Sequence, residues 1–246
     1  MRNTIKLDFV TVLVVMIMLA IFAGATPINP DSLSVGSSTR RANPSAASVE
    51  AQAGNVTALT INGTSVTMFW QGYYGNISGS VVLANSGGNN LYEWELASPT
   101  GEIYATRNSS INWSNIACAN QSQIFDEDSF LGANSTSNAD SVNRTFYRTD
   151  HPSFYTGLLN FTSGACKSAS INGTGTGSNF HEVLLAEFNE TSGGAKFIYT
   201  SVIDADTTGF DDTQHDFQMI VGEPGSGSEL YPSGGTTTYY FYVELQ

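Results

Sequence analysis

Five aspartates lie close together near the C-terminal end of the chain, around a glycine that allows a turn. Closely spaced carboxylates at a turn suit a hard cation such as Ca²⁺, which takes about six to eight oxygen ligands. The spacing departs from that of an EF-hand loop, which ends in a bidentate Glu. No Lys or Arg follows Lys196, whereas eight Asp and Glu residues do. The pattern indicates either a Ca²⁺ site or a solvated acidic loop, formed by Asp204, Asp206, Asp211, Asp212 and Asp216.

Three aromatic residues, Trp70, Tyr73 and Tyr74, surround a glycine in a segment that could bend. Aromatic rings at such a corner can stack on the faces of sugars, which makes these three the candidate ligand-binding residues. Aromatic side chains also fill protein cores, where they bury large apolar areas. Core packing is the commoner outcome, and the sequence alone leaves both interpretations open.

Motifs for catalysis are missing from the sequence. The histidines His151, His181 and His215 lie in no H-E-x-x-H pattern, and the chain contains no G-x-S-x-G, P-loop or C-x-x-C motif. Carboxylates for glycoside hydrolysis could come from several glutamates, although solvated strand faces explain these residues equally well. They are Glu93, Glu95, Glu102 and Glu187. We therefore expect a protein that is not an enzyme.

Asn-X-Ser/Thr triplets are unusually dense in this chain. The 20 Asn and the 54 Ser or Thr among 246 residues would give about four such triplets by chance, whereas eleven occur. Each triplet is an acceptor for N-glycosylation and implies a surface position in a secreted protein. We therefore predict a sugar coat, carried by Asn55, Asn62, Asn76, Asn108, Asn112, Asn120, Asn134, Asn143, Asn160, Asn172 and Asn189.

The first 25 residues have the pattern of a secretory signal peptide. Arg2 and Lys6 precede an apolar run at 9–22, and a small-residue Ala-Gly-Ala site follows at 23–25. The run is shorter than the ~20 residues that a membrane-spanning helix needs. A retained anchor or assembly helix is the alternative. We predict cleavage, a mature chain without a stable membrane span, and an extracellular location at the cell surface.

The only two cysteines, Cys118 and Cys166, have no further ligands nearby that would suggest a metal site. In an exported protein, an isolated pair of cysteines forms a disulfide by default. We predict a bond between them that closes a long loop.

The charge balance excludes one class of partner. The full chain carries a net charge of −13, and loss of the signal segment would leave 7 basic and 21 acidic residues. Such a balance repels nucleic acid and anionic membranes and favours solubility or bound cations. Binding to nucleic acid is therefore not expected.

Residues 26–53 are rich in Ser, Ala, Pro and Asn and contain no aromatic residue, which predicts an extended linker or assembly arm. From there the pattern changes to short alternating apolar runs bounded by Gly, Asn and Ser, as expected of strands and turns. At most one helical turn is expected, at 126–131. The strands are predicted at 56–61, 65–70, 77–84, 91–97, 102–106, 157–162, 183–188, 196–203, 216–221 and 237–245. The fold class is therefore all-β: a single antiparallel β-sandwich of about ten strands over residues 54–246.

Four segments together resemble a group of secreted archaeal cell-surface glycoproteins of surface-layer or filament type. They read WQGYYGNISG at 70–79, YEW at 92–94 with SPTGEIYA at 98–105, GFDD at 209–212 with DFQMI at 216–220, and TYYFYVEL at 238–245. The resemblance covers residues 48–246. It implies an archaeal envelope or extracellular location, a β-rich fold and a part in a surface assembly. It carries over no active site.

The leading hypothesis is an N-glycosylated extracellular structural protein, a subunit of a cell-surface layer or filament that contacts itself or other envelope proteins. The arm at 26–53 could add as a strand to a neighbour's sheet edge. No Asn follows Asn189, so the last part of the chain carries no N-glycan. Either this part meets a partner, or its strands are buried within the monomer. The alternative is a secreted Ca²⁺-dependent module for carbohydrate binding or adhesion.

Overall fold

A computed structural model describes residues 26–42, 45, 47–133, 136–172, 179–188, 196–224 and 236–246. The predicted signal segment at 1–25 lies outside these residues, as do the predicted glycan acceptors Asn134 and Asn189. Within the described ranges, no helix is both long and apolar enough to cross a membrane.

A six-stranded antiparallel sheet forms the centre of the protein. Its strands follow in the order β14 (Tyr240–Leu245), β4 (Gly101–Thr106), β10 (Lys196–Val202) and β9 (His181–Glu187), and the far edge of β9 pairs with β5 (Ile116–Cys118) and β8 (Ser168–Ser170). The middle strands β9 and β10 carry nearly continuous apolar residues, as expected of strands that are covered on both faces. The sheet therefore has a core on each side.

Alternation along the central strands divides their side chains between the two cores. We call the cores on the two faces of the sheet the first and the second core. Leu184 of β9 and Tyr199 of β10 belong to the first core. Leu185 of β9 and Ile198 of β10 belong to the second core. All four side chains are buried. The packing is that of a central sheet with a layer on each side.

The first core is covered by a two-stranded sheet and two helices. The sheet pairs β1 (Trp70–Gly75) with β13 (Phe217–Gly222), and the helices are α1 (Gln121–Leu131) and α2 (Val142–Thr145). Met219, Leu131 and Phe146 bring these elements together against the central sheet. Aromatic rings from the layer meet those of the sheet at Trp70 and Tyr199, whose centroids lie 6.2 Å apart.

The second core is covered by the hairpin of β6 (Phe154–Thr156) and β7 (Leu159–Phe161), with a 3₁₀ turn at Trp113–Asn115. The rings of Phe154 and Phe161 stack 4.9 Å apart. The indole of Trp113 packs against Tyr242 of β14, with centroids 5.1 Å apart. This layer also contains the buried Cys166.

Helix α1 is longer than the single turn that the sequence predicts. It begins at a capping box, in which the Asn120 side chain accepts from the Gln123 backbone N–H and the Gln123 side chain accepts from the Asn120 N–H. It ends at Gly132, whose φ of 71° is the left-handed conformation that glycine adopts at little cost. The helix buries Glu127, which forms an ion pair with the Arg107 guanidinium. Because a buried position holds a charged residue, the apolar residues of this segment do not show the period of a helix.

Two further hairpins complete the described structure. One joins β2 (Ser80–Ala84) to β3 (Asn90–Glu95), and the other joins β11 (Thr207–Thr208) to β12 (Gln214–His215). The β2–β3 hairpin forms the candidate site, and the β11–β12 hairpin contains most of the acidic stretch.

The all-β prediction is confirmed, because the described residues form 14 strands and two α-helices and the sheets are antiparallel. A single β-sandwich is not confirmed, because one sheet is central and several small sheets surround it. Eight of the predicted strands overlap observed ones, at 77–84, 91–97, 102–106, 157–162, 183–188, 196–203, 216–221 and 237–245.

The prediction of a strand at 56–61 is wrong for the described chain, and that at 65–70 is wrong except for its last residue. Residues 47–68 contain a turn at 53–54 and no strand, expose nearly every side chain, and pair with no strand. The physical reason is that a strand needs a partner edge, and none lies beside this segment. The extended arm therefore continues to the start of β1 and is longer than the predicted 26–53.

Candidate functional site

The hairpin of β2 and β3 has one wholly apolar face that no other part of the described chain covers. Val81 lies opposite Trp94 in the antiparallel register, and Leu83 lies opposite Tyr92. Residues directly opposite each other share a face of the sheet, so these four side chains form one patch. They are 44% to 57% exposed, and the Tyr92 and Trp94 rings touch at 4.5 Å between centroids. We call this patch the hairpin face.

The other side of the hairpin is mixed: Glu93 lies there opposite the exposed Val82, and its carboxylate is hydrogen-bonded within the hairpin. The Ser80 hydroxyl donates to the Glu93 carboxylate at 2.6 Å, and the Asn90 amide donates to the same carboxylate at 3.1 Å. These bonds lower the pKa of Glu93. The sequence therefore encodes an amphipathic hairpin, with one face suited to water and one suited to another protein.

The hairpin stands apart from both cores. Its strands pair only with each other, and at its base the Leu96 N–H donates to the Gly79 carbonyl. An isolated two-stranded hairpin is marginally stable in water, and a third strand or a packed surface is usually needed. An exposed apolar face on such a hairpin is typical of a surface that meets a partner.

The predicted glycan acceptors that the structure describes all reach the surface. Six are exposed and three are half-buried. The side-chain oxygens of Asn112 and Asn120 accept backbone N–H groups, from Ser114 and Gln123. N-glycosylation modifies the amide nitrogen, so these bonds are compatible with a sugar. The exposed acceptors are Asn55, Asn62, Asn76, Asn112, Asn120 and Asn160, and the half-buried ones are Asn108, Asn143 and Asn172.

The hairpin lies in a gap between acceptors. No Asn-X-Ser/Thr triplet begins between Asn76 and Asn108, the widest spacing within the glycosylated region that the sequence predicts. Because glycans prevent close approach, a surface that contacts protein should lack them. The hairpin face meets this requirement.

The predicted disulfide between Cys118 and Cys166 is confirmed, with a sequence separation of 48. It ties β5 to the segment that precedes β8, and both strands pair with β9. Cys166 is buried, and its backbone N–H donates to the His151 ring at 2.9 Å. His151 therefore holds this corner of the fold together.

The three predicted ligand-binding aromatic residues do not form one site. Trp70 packs against Phe146 and donates its indole N–H to the Asp140 carbonyl, and Tyr73 packs edge-on against Phe241. Both belong to the first core, because the strand that carries them covers the central sheet.

Tyr74 is the member of the trio that faces solvent. Its ring meets that of Phe210 at 4.8 Å and that of His215 at the same distance. The side chain of Tyr74 is 50% exposed, and that of Phe210 is 57% exposed. Phe210 belongs to the acidic stretch and was not among the predicted ligand-binding residues. Its contact with Tyr74 depends on the pairing of β1 with β13, which the sequence does not reveal.

The acidic stretch is divided between separate hydrogen-bonding roles. Asp216 is buried, and its carboxylate accepts the backbone N–H groups of Ile77 and Asp206 at 2.7 and 3.0 Å. Asp211 accepts from Thr213 and contacts the His215 ring at 2.9 Å. Asp206 and Asp212 have φ angles of 54° and 61°, which belong to tight turns.

Nowhere in the described ranges do three or more His, Cys, Asp or Glu side chains converge as metal ligands would. The predicted Ca²⁺ site at Asp204, Asp206, Asp211, Asp212 and Asp216 stays a prediction. A cation there would compete with the backbone N–H groups that already bind the Asp216 carboxylate.

Two glutamates of the central sheet form a buried pair. Glu102 and Glu244 lie opposite each other on β4 and β14, and both are buried. Burial, together with the neighbouring Glu244 charge, raises the pKa of Glu102 to about 9. Burial also raises the pKa of Glu244, whose carboxylate accepts from Tyr104 and Gly157.

The remaining carboxylates considered for hydrolysis are separated from this pair. Glu187 is bound to Lys196 at 2.7 Å, and Glu93 and Glu95 lie on the exposed hairpin. Four glutamates are candidates for glycoside hydrolysis: Glu93, Glu95, Glu102 and Glu187. Within the described ranges, no two of these four carboxylates meet at a cleft. His181 is half-buried at the start of β9, where burial lowers its pKa.

No protein-family model matches the chain, and no curated protein or solved structure matches it either. The class of protein therefore follows from the fold and the site. It is an all-β protein of antiparallel sheets, braced by one disulfide, that presents an amphipathic hairpin to its surroundings.

Proposed function

We propose that the protein is a secreted, N-glycosylated structural subunit that assembles with further copies of itself at the cell surface, in a layer or filament. The observation that carries the proposal is the hairpin face, which consists of four large apolar side chains on a hairpin that packs against neither core. Burying such side chains contributes about 25 cal/mol per Å² of apolar area. A secreted protein gains this stabilisation only by covering the face.

Three further features support an extracellular structural role. The glycan acceptors that the structure describes reach the surface, and the hairpin lies in the gap between them. The disulfide suits an oxidising compartment. The acidic charge of the chain keeps free subunits soluble and opposes unspecific clustering, which leaves association to the apolar face.

We expect the double variant Tyr92→Gln/Trp94→Ser, which creates no new Asn-X-Ser/Thr triplet, to remain monomeric at concentrations where the parent protein assembles. The substitutions remove the two largest side chains of the hairpin face, and neither side chain contacts the folded cores, so folding should be retained. Analytical ultracentrifugation of the secreted, glycosylated protein measures the association state. Thermal unfolding checks the fold.

The matched control is Tyr147→Ser, which removes an aromatic side chain that is 60% exposed outside the hairpin. This variant should assemble like the parent. Equal assembly of the parent and the hairpin variant would show that the hairpin face is not the contact.

Carbohydrate binding is a second candidate function, and the exposed rings of Tyr74 and Phe210 favour it. Two rings beside the polar side chains of Asp211 and His215 could stack on a sugar and bond its hydroxyls. In this proposal Ca²⁺ would act through the acidic stretch that contains Asp211.

For this second function we expect glycan-array binding to be lost in Tyr74→Ala and retained in Tyr155→Ala, an exposed tyrosine on β6. Loss of binding on adding a chelator would separate Ca²⁺-dependent recognition from stacking alone. A folded parent protein that binds no glycan would refute the function.

A further inference from the structure

The chain contains a strand-like segment without a partner, at residues 56–61. Its sequence, VTALTI, is rich in β-branched residues and alternates in a way that predicts a strand. In the described structure it pairs with nothing, and Val56, Leu59 and Ile61 are 102%, 60% and 83% exposed. We call it the donor segment.

The hairpin has an edge that such a segment fits. The outer edge of β3 is unpaired in the described structure, so its backbone N–H and C=O groups are open to another strand. β3 has six residues, as does the donor segment. The pairing with β2 passes over Leu91 of β3, so the regular stretch of this strand is 92–95, which contains Tyr92 and Trp94.

Side chains on the two strands would match across the new pair. Tyr92 and Trp94 are two positions apart and share the hairpin face, and Leu59 and Ile61 have the same spacing. Since alternate residues of a strand point to one side, the added segment would extend the apolar face from two strands to three. A three-stranded sheet with an apolar face is the smallest arrangement that is usually stable.

The donor segment and the hairpin leave the domain at opposite ends of β1. The segment runs into Trp70, where β1 begins, and the hairpin follows Gly75, where β1 ends. A six-residue strand separates these ends by about 17 Å. In the described structure the segment does not pair with the hairpin of its own copy, which leaves it available to the hairpin of another.

The connection between donor segment and domain is short. Residues 62–69 join the segment to β1 and span at most about 28 Å when extended. Once the segment is bound, the domain of the donor copy must lie next to the acceptor hairpin, where it can cover the hairpin face. The glycan acceptors Asn55 and Asn62 flank the segment and leave 56–61 free of sugar.

The arm that the sequence analysis considered, residues 26–53, is less suited to donation. Ile28 already forms an antiparallel bridge to Val243 at the edge of its own β14. The residues that follow contain prolines and few apolar side chains.

We propose that residues 56–61 of one copy add as a third strand to the outer edge of β3 in the next copy. The inference rests on the self-assembly proposed above and names the contact that produces it. Because donor and acceptor surfaces differ and lie at opposite ends of β1, the contact repeats head to tail. Such heterologous contacts build rings or open filaments, depending on whether the rotation between copies closes.

The test is the variant Ala58→Pro/Leu59→Pro in the full, secreted protein. Proline cannot donate to a strand ladder, and two adjacent positions present their N–H groups to opposite edges, so one substitution blocks whichever edge pairs. Both positions leave the two flanking glycosylation triplets intact. The matched control is Ser37→Pro/Ser38→Pro in the exposed arm.

We expect the 58/59 variant to raise the concentration of half-assembly by more than roughly tenfold, with unchanged thermal unfolding of the monomer, and the 37/38 control to assemble normally. Normal assembly of the 58/59 variant would overturn strand donation. If the hairpin variant Tyr92→Gln/Trp94→Ser were still monomeric in that case, self-association through the hairpin face would stand without the donor segment.

A photo-crosslinking residue at Thr60, in a mixture of ¹⁵N-labelled and unlabelled copies, locates the partner strand. Mixed-isotope crosslinks to residues 90–95 are the expected result. Crosslinks to 90–95 within a single isotope only would show that the segment folds back on its own hairpin, and would overturn donation between copies.

Discussion

Replacing both Cys118 and Cys166 with alanine should lower the free energy of unfolding by about 4 kcal/mol. The bond closes a loop with a sequence separation of 48, and the entropy that such a loop removes from the unfolded chain accounts for this magnitude. The loop contains both helices, so its closure restricts much of the layer over the first core. Denaturant unfolding followed by tryptophan fluorescence measures the loss.

The parent protein under reducing conditions is the control for this effect. Reduction leaves the sulfur atoms in the second core but opens the loop, so it should reproduce most of the loss. A double variant within about 1 kcal/mol of the parent would show that the unfolded chain is already compact without the bond. It would contradict the view that the disulfide braces the fold.

The second large effect is a fall in stability as the pH rises. The pKa of Glu102 is about 9 in the folded protein, against ~4.3 in an unfolded chain. Between these values the folded state holds a proton that the unfolded state releases, so the stabilisation is complete below the unfolded pKa and is lost as the pH rises towards 9. Each such group lowers the free energy of unfolding by about 1.4 kcal/mol per pH unit.

Glu182 acts in the same direction, because complete burial raises its pKa well above the ordinary value. His181 acts in the opposite direction at lower pH, because burial lowers its pKa and the unfolded chain takes up a proton below about pH 6.5. We therefore expect a loss of about 3 kcal/mol from Glu102 between pH 6.5 and 8.5, measured by denaturant unfolding across that range.

The variant Glu102→Gln isolates the contribution of this residue. Its side chain keeps the shape of a protonated glutamate and cannot ionise, so the slope of stability against pH should become shallower by about 1.4 kcal/mol per unit. Glu95→Gln, on the exposed hairpin, is the control and should leave the slope unchanged. An identical slope in Glu102→Gln and the parent would contradict a proton on Glu102.

Much of the sheet could be predicted because its residues are apolar in the strand period. β9 contains an apolar run at 183–186 and β10 contains one at 197–199, and burial on both faces explains why these residues are apolar. The disulfide could be predicted because two cysteines in an exported chain have one natural arrangement.

Helix α1 could not be predicted in full, because its buried side includes charged residues. Glu127 is buried against Arg107 and the Tyr199 hydroxyl, and Asp128 accepts the backbone N–H groups of Val142 and Asn143. These partners come from distant parts of the chain, so no local period reveals the face that packs. The polar pairs, rather than an apolar stripe, orient the helix.

The candidate site was only partly visible in the sequence for a similar reason. The strands at 77–84 and 91–97 were predicted, but their alternation does not tell whether the apolar face meets a core. Tyr92 and Trp94 have the pattern of buried residues, and only the fold shows that no core lies beside them. The same holds for residues 56–61, whose strand pattern finds no partner within the described chain.

The most direct test of the account is electron microscopy of the secreted, glycosylated protein over a range of concentrations. We predict polymers that repeat one head-to-tail contact, and their disappearance in Tyr92→Gln/Trp94→Ser. A folded parent protein that stays monomeric at every concentration, with Trp94 still open to solvent, would contradict the assembly role.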